Sequence, residues 1–237
     1  MATYGNYKTL SFQAASVLGI DADPNLIDQA RSHLSFRYSR SQPNSDLSPP
    51  AAADYFPISS ILEHGHRPWP DDVQSALDRD VDICSVSRDE EPATFPGNVH
   101  FQCEDWVEGV QGSPASLAGN AGSADVILAL SVVKWVHLRH LDAGLNKFFL
   151  RCSQTLCTGG YLVLEIQPWS SYEKAVRPKK SPQLAANFAL LQVKPDDFPA
   201  LLDRYGFVSA AVSDELPRRI CVYKKVKGPR EPASSSI

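Results

Sequence analysis

Apolar positions in this chain change spacing in a way that outlines its elements. Residues 124–133 read ADVILALSVV, an apolar run broken by Ser131, which predicts a strand buried on both faces. Over 142–156 the spacing becomes helical: Leu145, Phe148, Phe149, Cys152 and Leu156 share one stripe, and Asp142 stands where a cap is expected. Thr158, Gly159 and Gly160 predict a left-handed cap and turn, and residues 161–166 a second buried strand. Strand, helix, glycine turn and strand make one βαβ unit of a parallel sheet, which takes ligands beyond the carboxyl ends of its strands. Lys134, Trp135 and His137 follow the first strand, and Gln167, Trp169 and Tyr172 follow the second. Chemistry is expected there.

Upstream, residues 17–21 (VLGID) predict a buried strand that ends in a carboxylate. Pro24 suits a first helical position, and Leu26, Ile27, Ala30 and Leu34 form the stripe of a helix. A strand ending in Asp before a helix can hold a ribose, because a carboxylate accepts both hydroxyl protons; an Asp that caps the next helix gives the same pattern. Residues 38–97 are rich in Ser, Pro, Asp and Arg and read as a largely irregular insertion with one helix at 71–77. His64 and His66 have the spacing of half a metal site, but no partner ligands stand at suitable spacing and the pair reads as incidental. Residues 98–103 alternate as a strand running into Glu104, Asp105 and Trp106, and 112–122 form a small-residue loop. Downstream, 184–191 and 196–205 have helical spacing, with Gly206 as the cap of the second. Residues 207–212 and 220–226 suit two last strands, an antiparallel pair. The organisation predicted is one domain over 1–226, interrupted by 38–97, with a disordered Pro/Ser-rich tail at 227–237.

The 237 residues suffice for one α/β domain with a full core. No stretch is apolar enough to span a membrane, and the first ten residues lack the pattern of a secretory signal. Five cysteines without CxxC spacing point to reduced intracellular thiols, with Cys103, Cys152 and Cys221 expected in the core. The net charge of −4 divides unevenly: residues 167–237 hold 12 Lys and Arg against 7 Asp and Glu, whereas 1–166 hold 11 against 20. The basic third could form a phosphate-binding face on an acidic body; a solvated surface with a basic tail fits the same counts.

Several blocks go further. Residues 125–131 (DVILALS), 134–138 (KWVHL), Gly159 with Gly160, and 165–172 (EIQPWSSY) closely resemble the bicoid-interacting-protein-type RNA methyltransferases. That family includes the methylphosphate capping enzyme of small nuclear RNA. Residues 4–8 (YGNYK), 19–23 (GIDAD), 26–27 (LI) and 30–31 (AR) match earlier motifs in order, so the resemblance spans most of the chain outside 38–97. Val133, Arg139 and Ile166 stand where the family usually has Thr, Asn and Pro.

The resemblance implies a Rossmann-like, class I S-adenosylmethionine-dependent methyltransferase acting on a 5′-terminal phosphate of a small non-coding RNA. It implies a monomer in the nucleus, with the cytoplasm as the alternative, with room for an RNA-binding partner protein and no metal. Asp21 would hold the cofactor ribose with Ala22 beside it, Asp105 and Trp106 would flank the adenine, and Leu130 would line the cofactor site. Lys134 would sit at the phosphate, with Tyr7 near the reacting groups. Trp135, His137, Gln167, Trp169, Tyr172, Lys179 and Lys180 would meet RNA; for Trp135, Trp169 and Tyr172 core or rim packing is the competing role. A phosphate oxygen is already anionic and needs no strong base, so catalysis rests on alignment and charge screening, for which a lysine provides a point charge.

One departure is large. Where the family has a strand, a glycine loop and a helix before the GID strand, only eight residues separate Lys8 from Val17, and Gly5 is the only glycine ahead of Gly19. A strand, loop and helix need roughly 25 residues. The sheet is therefore expected to lack its first strand and following helix, leaving either a methyltransferase by descent or an inactive member that binds RNA or protein.

Overall fold

The run VLGID forms β1 (Val17–Asp21), and Pro24, whose missing N–H is no loss at a helix start, opens α1 (Pro24–Arg40). The Asp23 carboxylate caps α1 by accepting the Asn25 N–H at 2.9 Å. Ile27, Ala30 and Leu34 are buried, as their spacing predicts. The computed structural model describes residues 14–41, 55–69, 95–109, 122–177, 179, 181–213 and 218–229. They belong to two compact units: the first runs to Trp106 and takes in 110–115, and the second comprises 107–109 and 116–237.

In the first unit β2 (Val99–Cys103) lies parallel to β1, with Val17 opposite Val99 and Asp21 opposite Cys103. The helix α1 continues past residue 38, and part of the predicted insertion folds onto it. That part includes α2 (Ile58–His64). Trp69 stacks on Tyr38 at 5.0 Å, the Arg67 guanidinium lies 3.6 Å over the same ring, and Arg67 N–H donates to Ser39 Oγ at 2.9 Å. Aromatic stacking and a cation over a ring outweigh the polar composition that suggested irregular chain. The helix predicted at 71–77, the loop at 112–121 and the tail beyond 229 lie outside the described residues.

The second unit holds β3 (Ala124–Ala129), α3 (Val133–Thr155), β4 (Leu156–Glu165), α4 (Trp169–Ala175), α5 (Pro182–Leu190), α6 (Phe198–Arg204), β5 (Phe207–Ser213) and β6 (Ile220–Lys225). Its sheet has the order β3-β4-β6-β5; β3 and β4 are parallel, and β6 is antiparallel to both neighbours. The predicted βαβ unit and closing antiparallel pair are both present, a Rossmann-like α/β arrangement.

Two boundaries differ from expectation. The strand β3 stops at Ala129 and α3 starts at Val133, because Val133 and Leu138 already face inward at helical spacing. The helix expected from 142 does begin there, because α3 joins two helices across a break at Leu141 (φ 60°, ψ −170°), but the Asp142 carboxylate accepts from His137, Gln192 and Val193 instead of capping it. Thr158, Gly159 and Gly160 form a bulge within β4: Ala124 pairs with Leu156, yet Val126 pairs with Tyr161. A Cβ on Gly160 would lie 2.8 Å from the Asp125 carbonyl oxygen, so only glycine fits.

The core of this unit lies between one sheet face and the helices. Leu145, Phe149, Cys152, Leu162, Leu164 and Leu202 are fully enclosed, and Phe149 meets Phe198 edge-on at 5.8 Å. Lys225, also buried, donates to the Ser153 and Leu156 carbonyls and so satisfies the end of α3. Cys152 and Cys221 are core residues as predicted, whereas Cys103, on the outward side of β2, is exposed. Among the described residues, no strand bonds to the edge of β1 opposite β2 or to the edge of β3 opposite β4. No described helix is long and apolar enough to cross a membrane.

Candidate phosphate site and strand-end clusters

Within the second unit, the ends of β3 and β4 and the start of α3 bring a lysine, a buried glutamate and an arginine into one neighbourhood. Lys134, on the first turn of α3, is 9% exposed. Its ammonium donates to Ser171 Oγ at 3.0 Å and to the Ser171 carbonyl at 3.5 Å, and lies 4.8 Å from the Trp135 ring centre. An ammonium has three donors, so a third remains. Burial pushes Lys134 below the ordinary lysine range, and the nearby Glu165 charge partly offsets this.

Glu165, at the end of β4, is 4% exposed and heavily engaged. It accepts a hydrogen bond from Ser131 Oγ, Gln167 Nε2 donates to it at 3.4 Å, and Arg218 Nη1 lies 3.4 Å from both carboxylate oxygens. Arg218 Nη1 also donates to Ser131 Oγ at 2.9 Å. Ser131 has a left-handed backbone (φ 58°), which costs a non-glycine residue about 1–2 kcal/mol and is held here by those two bonds. Gln167 Oε1 is buried without a donor. An open groove of about 550 Å³ adjoins the cluster, lined by Gln167, Ser171, Lys174, Asp196, Arg218 and Arg219 among others.

Behind Lys134 lies a second polar chain. His137 is wholly enclosed; its Nε2 is 2.7 Å from Asp142 Oδ1 and its Nδ1 3.4 Å from the Tyr172 hydroxyl. Residues five apart do not face each other on a regular helix, and the break at Leu141 lets Asp142 reach back to His137. Asp142 also accepts the backbone N–H groups of Gln192 at 3.0 Å and Val193 at 3.3 Å. Burial pushes the His137 imidazole down, and its bond to Asp142 and that charge only partly offset it. For Asp142 burial alone would raise the carboxyl, but hydrogen bonds from His137, Gln192 and Val193 outweigh it and hold it below the usual range. Tyr172 is 1% exposed and its phenol is pushed up by burial. Trp169 stacks on Tyr172 at 5.2 Å and meets Phe188 at 4.8 Å.

Of the residues expected at RNA, Trp135 is exposed, Gln167 lines the groove and Lys179 is exposed. His137 and Tyr172 are packed inside and link α3 to α4, for Tyr172 the core packing that competed with the RNA role, and Trp169 is half-buried in the same stack. Tyr7 and Lys180 lie outside the described residues. Sequence reasoning missed Ser131, Ser171, Glu165 and Arg218 as members of one cluster; their only signal was that the first three fall inside the family-like blocks.

In the first unit the ends of two parallel strands coincide. Glu104 N–H donates to the Asp21 carbonyl at 3.0 Å, which brings Asp21, Asp105 and Trp106 to one end of the pair. Asp21 Oδ1 accepts the Asp23 N–H at 2.9 Å, and Ala22 beside it is exposed. In the second unit Leu130 is half-buried just past β3. No cluster of metal ligands occurs among the described residues.

Residues 124–225 match the bicoid-interacting protein 3 (Bin3) family. The chain is 30% identical over 202 residues to the 7SK snRNA methylphosphate capping enzyme of Mus musculus, an alignment covering 79% of this chain and 28% of that protein. It is 42% identical over 78 residues to the U6 snRNA methylphosphate capping enzyme of Drosophila melanogaster, covering 33% of this chain and 25% of that one. A solved SAM-dependent methyltransferase of Methanosarcina mazei aligns over 91% of this chain and 86% of its own, at 12% identity and a TM-score of 0.44. The chain thus spans only about a quarter of the length of these two capping enzymes. On the match across 124–225 and the similarity to relatives over most of its length, residues 124–225 of the chain form a domain of the bicoid-interacting protein 3 family.

Proposed function

We propose that the chain carries the methyltransferase domain of an RNA 5′-phosphate methyltransferase, which acts on small non-coding RNA in the nucleus and uses S-adenosylmethionine. The observation that carries this reading is Lys134: a nearly buried ammonium, fixed by Ser171, with a donor to spare and a cation-lined groove alongside. Such a group holds a terminal phosphate and screens its charge, while the anionic oxygen stays free to react. Trp135, exposed next to Lys134, offers a stacking surface for a base.

The residues fit one half of the cofactor. Asp21 is a carboxylate suited to ribose hydroxyls, and Trp106 with Asp105 supplies a flat face and an acceptor for adenine at the same strand end. When bound, S-adenosylmethionine supplies an electrophilic methyl group. For its amino-acid end the family's glycine loop has no counterpart between Lys8 and Val17.

The edges of β1 and β3, which no strand among the described residues pairs, favour a second reading, an inactive member that still binds RNA. Methyl-labelled S-adenosylmethionine and matched RNAs with a 5′ phosphate or a 5′ hydroxyl separate the two. A chain given the family's strand, glycine loop and helix after Lys8 should label only the phosphorylated RNA, at its terminal phosphate. The chain without that segment should bind the RNA and leave it unlabelled. Label on a base, or equal label on both RNAs, would remove the phosphate reading.

A further inference from the structure

We propose that the groove beside Lys134 is a second phosphate subsite, which takes the internucleotide phosphate following the first nucleotide of the RNA. The proposal rests on Lys134 as the terminal-phosphate residue. Three cations reach this groove from separate parts of the chain: Lys174 on the last turn of α4, and Arg218 and Arg219 just before β6. Lys174 and Arg218 are placed by buried structure. Tyr172, two residues before Lys174 and packed against His137, fixes α4; Glu165 and Ser131 fix Arg218.

Arg218 uses only Nη1 in those bonds, and 66% of its side chain is exposed. A guanidinium has five donors in a planar fork, so its remaining N–H groups can take a phosphate side-on. The acids of the groove oppose this weakly. Glu165 is buried and already engaged, which leaves Asp196 against three cations. Ser171 both holds Lys134 and lines the groove, so a chain whose terminal phosphate sits at Lys134 continues into it. A space of about 550 Å³ is too large for one phosphate and suits a nucleotide.

The test is calorimetric binding of four probes to the full chain without methyl donor: uridine 5′-monophosphate, uridine 5′-triphosphate, the 5′-phosphorylated dinucleotide pUpU and unphosphorylated UpU. The dinucleotide should bind about tenfold more tightly than the monophosphate, the effect of one charge-assisted contact. Its log–log salt dependence should be steeper by about 0.7. Lys174→Ala and Arg219→Ala, which leave Glu165 paired, should each bring the ratio of the two affinities toward one. A dinucleotide no tighter than a monophosphate that binds, a ratio indifferent to both substitutions, or a triphosphate that gains as much as pUpU, would overturn the subsite and leave the Lys134 reading intact. Unphosphorylated UpU that binds as well as pUpU and depends on Lys174 would support the subsite while removing the terminal-phosphate role of Lys134.

Discussion

Replacing Asp142 tests whether the His137 cluster is the fastening that orients α3 and α4. Its carboxylate accepts three hydrogen bonds, from His137, Gln192 and Val193, and its own side chain is 27% exposed while that of His137 is fully enclosed. In Asp142→Ala all three donors lose their acceptor. Water can reach the backbone N–H groups through the exposed side, but not the imidazole. One buried donor left unpaired costs about 1–3 kcal/mol, and loss of bonds to a charged acceptor costs about 1.5–3 kcal/mol each when nothing replaces them. With solvent replacing part, a loss of about 3–4 kcal/mol is expected, a large share of a typical stability of about 5–15 kcal/mol. Asp142→Asn keeps the shape, and one amide oxygen still accepts while the NH₂ meets a donor, so about half that loss is expected. Urea unfolding followed by tryptophan fluorescence at neutral pH reads both variants. A loss below about 1 kcal/mol for Asp142→Ala, or RNA binding that falls while stability stays, would refute the structural role and return His137 to the RNA surface.

Three further outcomes follow. The unfolded His137 takes up a proton below about pH 6.5, whereas burial keeps the folded one neutral; stability should fall as pH drops through that range, by at most about 1.4 kcal/mol per pH unit per group. His100 shifts the same way, so His137→Gln should flatten only part of the slope in urea midpoints measured between pH 5 and 8; an unchanged slope would exclude His137 as a source. Gly206 ends α6 at φ 82°, where a Cβ would strike the Lys227 carbonyl, so Gly206→Ala should cost more than about 2 kcal/mol in the same unfolding assay, and a neutral effect would contradict this. Titration of the chain with S-adenosylhomocysteine should show no micromolar binding, and a micromolar dissociation constant would mean that the glycine loop is dispensable.

How much of this was legible in the sequence depended on whether the signal was local. The strands at 17–21, 98–103, 207–212 and 220–226 and the stripe of α1 were readable from spacing, because each is a short local pattern of apolar residues. The start of α3 was not, since Ser131 reads as a single polar break within one apolar run, ADVILALSVV, and that run conceals the turn at Leu130 and Ser131. Thr158, Gly159 and Gly160 supply the same backbone freedom to a turn or to a bulge, and only the register against β3 decides between them. At the site, Lys134 was found through the block around it. The joining of Ser131, Glu165 and Arg218 was hidden because it depends on a left-handed serine and on the return of the chain through β6. His137 was read as facing RNA and Tyr172 as facing RNA or the core; the structure buries both as a hydrogen-bonded pair, a partnership across 35 positions that no spacing rule anticipates.

The most direct measurement is single-turnover methylation of a 5′-phosphorylated RNA by Lys134→Ala, beside its parent, in the chain carrying the family's strand, glycine loop and helix after Lys8. With the terminal phosphate placed at Lys134 as proposed, its ammonium, fixed by Ser171, screens that charge, and loss of one such preorganised interaction costs about 3–4 kcal/mol, a rate lower by about a hundredfold or more. RNA affinity should change much less, because Arg218, Arg219 and Lys174 remain in the groove. A rate within about threefold of the parent would contradict the placement of the terminal phosphate at Lys134.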